Sequence, residues 1–139
     1  MMNGKKVVSI MNMPGNSYTL FTFHNLMYTA GLLSKKNNEK VLFIDLDLTK
    51  AEFSRSFKTQ NMSKLLSVID KYKSEFIIDK EEILKNIVEN PVLTSGVVME
   101  NVSAFLITGN IPRIAGFMKF DIKFVEGMLE ILMEGYDRI

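Results

Sequence analysis

Two carboxylates close an apolar run at Asp45-Leu46-Asp47, within the segment Val41 to Asp47 (VLFIDLD). Side chains at the carboxyl end of a parallel strand project toward the crevice where ligands bind in such sheets. Asp45 and Asp47 are therefore the strongest carboxylate candidates, against the plainer reading of polar residues that end a strand. The second candidate is the turn Pro14-Gly15-Asn16-Ser17-Tyr18-Thr19. It lies between an apolar, β-branched run, Lys5 to Asn12 (KKVVSIMN), and a long helical pattern. A helix start of this kind offers free N–H groups and the positive end of the helix dipole to an anion. The plainer reading is a strand–helix connection capped by Ser17. His24 is the single histidine, and no Ser or Cys nucleophile constellation surrounds it in the sequence, so it reads as a packing residue. Lys50, Arg55 and Lys58 form a small basic cluster that reads as a solvated loop rather than a DNA patch.

These groups must be positioned by the elements around them. Ser17 to Lys36 is predicted as one helix, with Asn16 or Ser17 as its cap and Leu20, Phe23, Met27 and Ala30 as its inward stripe, widened by Leu26 and Leu33. Lys35 and Lys36 complement the dipole in its last turn, and Asn37-Asn38 end it. Lys40 to Asp47 returns as a strand, apolar at consecutive positions as expected for a strand covered on both faces. Strand, helix and strand in this order imply a right-handed crossover and a parallel pair.

Beyond Asp47, Leu48 to Thr59 reads as a loop with a helical turn and Ser63 to Tyr72 as a short amphipathic helix. Asp79, with Glu82 three residues on, has the capping-box arrangement. The expected helix there runs on through Ile83, Ile87 and Val88 until Pro91 stops it. Val102 to Thr108 is the third strand, closed by Gly109-Asn110 and Pro112. Phe117 to Glu134 is expected as one helix, with Phe120, Phe124, Met128 and Ile131 on its inner face. Gly135 terminates it, and Tyr136-Asp137-Arg138-Ile139 looks like the start of a further strand.

Composition narrows the classes. With 17 Lys and Arg against 16 Asp and Glu, no net field argues for nucleic acid or an anionic surface. The chain has no cysteine, so disulfides and thiolate metal sites are excluded, in keeping with a cytoplasmic location. No apolar stretch reaches membrane-spanning length, and residues 1–6 lack the apolar core of a secretory signal. The 10 methionines are scattered and read as adaptable core filler. There are no repeats or linkers, so residues 1–139 are read as one α/β domain.

The order of these pieces resembles the amino-terminal half of the ParA/MinD family of deviant P-loop ATPases (SIMIBI class), which includes a TadZ/CpaE-like branch that localises pilus and secretion machines. The strand KKVVSIMN before the turn, Asn25-Leu26 on the helix, and VLFIDLD carry the likeness. So do Phe105-Leu106-Ile107-Thr108-Gly109-Asn110 and, after a helix, Glu134-Gly135-Tyr136-Asp137. The resemblance implies a three-layer, mostly parallel sheet with helices on both faces, a dimer, and ATP with Mg²⁺ as ligands. It would give Asp47 the orientation of a hydrolytic water and Asp45 support of the metal.

The turn departs from the family's Lys-Gly-Gly-x-Gly-Lys-Thr-Thr. Gly15 is retained, but the lysine that reaches across the dimer falls on Pro14, the phosphate-gripping lysine on Thr19 and the Mg²⁺-binding threonine on Leu20. A slip of one residue puts Thr19 at the metal position and Tyr18 in place of the lysine. Neither register supplies the cation that phosphates need. The residues left to touch nucleotide are Gly15, Asn16, Ser17, Tyr18 and Thr19. The family's next strand and its Mg²⁺-sensing loop lie past Ile139, so the domain is expected to be incomplete at its carboxyl end.

Three functions follow. The first is a degenerate, non-hydrolysing relative that positions or assembles a cellular machine through a homodimer or a partner protein. The second is a genuine ATPase of that family with a divergent loop, and the third is an α/β interaction domain unrelated to nucleotides.

Overall fold

A computed structural model describes residues 19–46, 52–58, 65–107, 109 and 111–139. The first helix, α1 (Thr19–Asn37), stops where Asn38 takes a left-handed conformation (φ 53°) and the Glu39 amide bonds back to Ser34 O at 3.1 Å. The strand β1 (Leu42–Ile44) follows at once, shorter than the run Lys40 to Asp47 suggests. Next come a single turn, α2 (Glu52–Arg55), and the helix α3 (Leu65–Glu75). The short helix α4 (Lys80–Leu84) opens on the expected cap, with Asp79 Oδ1 accepting from the Glu82 amide at 3.3 Å.

Two expectations are corrected here. The helix from Asp79 does not run to Pro91. Asn86 donates its side-chain amide to Glu82 O at 3.1 Å, closing α4, and Ile87–Glu89 is a strand, β2. The β-branched pair Ile87-Val88 favours that outcome. The last helix, expected from Phe117, begins only at Ile122 as α6 (Ile122–Met133), and Phe117 belongs instead to a separate helix, α5 (Ile111–Met118), that starts before it. Asp121 breaks the run, because its Oδ1 accepts from the Phe124 amide at 3.0 Å and caps α6. The corner this creates leaves Phe120 89% exposed, whereas Phe124 is fully buried. The two therefore do not share an inner face.

With β3 (Ser103–Phe105), the chain forms a three-stranded sheet in the order β1-β3-β2. β1 and β3 are parallel, Leu42 pairing with Ser103 and Ile44 with Phe105, while β2 runs antiparallel to β3. On the other edge of β1, Arg138 forms a parallel bridge with Val41, and the Leu42 amide donates to Arg138 O at 2.9 Å. Asp137 and Lys40 fasten this contact through the Lys40 amide to Asp137 Oδ2 and the Asp137 amide to Lys40 O, both 2.8 Å. Arg138 also pairs with Glu39.

The alternation of strand side chains feeds two separate cores. Leu42, Phe105 and Ile107 pack with Leu65, Val68 and Ile69 of α3, Ile114 and Met118 of α5, and Phe124, Met128 and Leu132 of α6. Val41, Phe43, Ala104 and Leu106 pack with Met27 and Phe23 of α1 and with Phe53 and Phe57 at α2. A glycine sets the approach on the second side. A Cβ at Gly31 of α1 would stand 2.2 Å from Glu100 O, so only glycine lets α1 lie against that backbone. No described helix is long and apolar enough to cross a membrane.

Candidate functional site

The strand ends Asp45 and Ile107 come together at the carboxyl side of the parallel β1–β3 pair. The Asp45 amide donates to Phe105 O at 3.1 Å, which extends the ladder by one step and turns the Asp45 side chain into a buried position. Its Oδ2 accepts two hydrogen bonds from one residue of α2, the Ser54 amide at 3.0 Å and the Ser54 hydroxyl at 2.5 Å. The same hydroxyl oxygen accepts from the Ile107 amide at 2.8 Å. Ser54, 1% exposed, thus ties the end of β1 to the segment after β3.

α2 is held in this place from several sides. Phe53 lies edge-on to Phe57 (5.1 Å between ring centroids) and Phe23 (6.3 Å), and stacks on Phe43 at 6.5 Å. The Thr94 amide donates to Ser56 O at 2.9 Å and the Lys58 amide to Val92 O at 2.8 Å, strapping α2 to the turn at 91–98. Ser56 Oγ donates to Phe53 O at 2.6 Å. With that proton committed, His24 Nε2, 2.9 Å from Ser56 Oγ, is the donor of the pair. His24 also lies 5.7 Å from the Phe57 ring centroid, and burial lowers its pKa from the ordinary value of 6.5.

Aspartate, histidine and serines meet here, but their connectivity is not that of a nucleophilic triad. In a triad one serine bonds the histidine and the aspartate bonds the same histidine. Here the histidine serves Ser56, whose proton goes to a backbone carbonyl, and Asp45 serves Ser54. Among the described residues no group of three or more His, Cys, Asp or Glu could hold a metal ion.

Of the residues singled out in the sequence, Asp45 is in this crevice and Thr19 opens α1. Gly15, Asn16, Ser17 and Tyr18 lie outside the described residues, as do Asp47, Lys50 and the run KKVVSIMN. His24 comes to the same neighbourhood through Ser56, and Arg55 and Lys58 are exposed. Sequence reasoning missed Ser54. Its signal was the Phe53 to Phe57 spacing, which places two aromatics on one side of a helical turn and buries the serine beside them.

Comparison with protein-family models, with curated proteins and with solved structures gives no match for this chain.

Proposed function

We propose that the chain is a ParA/MinD-like scaffold that positions or assembles a cellular machine through protein contacts, without hydrolysing ATP. One observation carries this reading: Asp45, the carboxylate expected to support a metal, gives Oδ2 to two bonds from Ser54. Buried Phe53, Ser54 and Phe57 bring protein to the ends of β1 and β3, where a ligand would otherwise lie. The sequence Pro14 to Thr19 contains no lysine for a phosphate, which points the same way. Further support for the family comes from the parallel β1–β3 pair, from Arg138 entering parallel to Val41, and from the packing of separate helices on the two sets of strand side chains. β2, antiparallel to β3, departs from the family, because it makes the sheet mixed where the family's is mostly parallel.

The test is calorimetry and phosphate release on the purified protein with ATP and Mg²⁺. No binding heat and no phosphate above buffer are expected. Phosphate release that Asp47→Ala abolishes would overturn the reading in favour of an ATPase with a divergent loop.

A further inference from the structure

We draw no further inference here: the strongest candidate, the open depression at the α5–α6 corner beside exposed Phe120, carries nothing, because Asp121 and Asp70 balance Lys73 and Arg113 around it and nothing in the structure shows what covers its apolar face.

Discussion

Ser54 Oγ lies 2.5 Å from Asp45 Oδ2 and donates to it, while accepting from the Ile107 amide at 2.8 Å. A hydroxyl is the one small group that can do both at once, and at 1% exposure water cannot replace it. Ser54→Ala removes one of the two bonds to Asp45 Oδ2, which keeps the backbone amide of residue 54, and leaves the buried Ile107 N–H without the hydroxyl it donates to. The expected loss is about 1–3 kcal/mol of unfolding free energy, read from urea melts. Asp45→Ala and Ser54→Ala combined should lose less than the sum of the two, with a coupling of about 0.5–3 kcal/mol. Additive losses would mean that the contact does not stabilise the fold.

Gly31 and Gly127 both lie inside helices, where alanine is intrinsically better by about 1 kcal/mol. Their surroundings predict opposite outcomes. A Cβ at Gly31 meets the backbone oxygen of Glu100 at 2.2 Å, and backbone cannot step aside cheaply. Gly31→Ala should destabilise by about 1–3 kcal/mol despite the propensity gain. At Gly127 the obstacle is Ile78 Cδ1 at 2.6 Å, the far end of a flexible side chain. Gly127→Ala should therefore fall within about 1 kcal/mol of the parent, on either side. Thermal melts of the two variants side by side decide this.

His24 supplies a pH dependence whose sign follows from its surroundings. Burial lowers its pKa below the ordinary 6.5, so the folded chain binds the proton less readily than the unfolded chain does. Between the lowered value and about 6.5 the unfolded state holds more protons, and unfolding free energy rises with pH. The contribution is fully present above that window and is lost as pH falls through it. Urea midpoints at about pH 5 and pH 7.5 should differ less for His24→Gln, which keeps a donor for Ser56, than for the parent. An unchanged difference would place the pH dependence on other groups.

What the sequence showed depended on how local each signal was. The cap at Asp79, the end of α1 at Asn37-Asn38 and the consecutive apolar run Val41 to Ile44 are decided by neighbouring residues, and each stands where it was expected. Ile87 and Val88 satisfied helical spacing equally well, and only the long-range pairing of Val88 with Ala104 separates strand from helix. The Asp45–Ser54 contact spans nine residues, and the Ser54–Ile107 contact spans 53. No periodicity records such contacts. The carboxylate was visible in the sequence, but the serine that engages it was not.

The α5–α6 corner gives the sharpest contrast, because Phe120 and Phe124 sit four residues apart on what the sequence suggests is one helix face. Asp121 separates them by capping α6 through the Phe124 amide. Phe124→Ala empties a fully buried position beside Tyr72 and Phe117, at ring centroid distances of 5.1 and 5.2 Å, and should cost about 3–5 kcal/mol. Asp121→Ala removes only the cap and should cost about 1 kcal/mol, with faster amide exchange in the first turn of α6. Phe120→Ala, at 89% exposure, should stay within about 0.5 kcal/mol of the parent. Urea melts of the three variants should fall in that order. If Phe120→Ala destabilised as much as Phe124→Ala, one continuous buried face would be restored and the corner would be wrong.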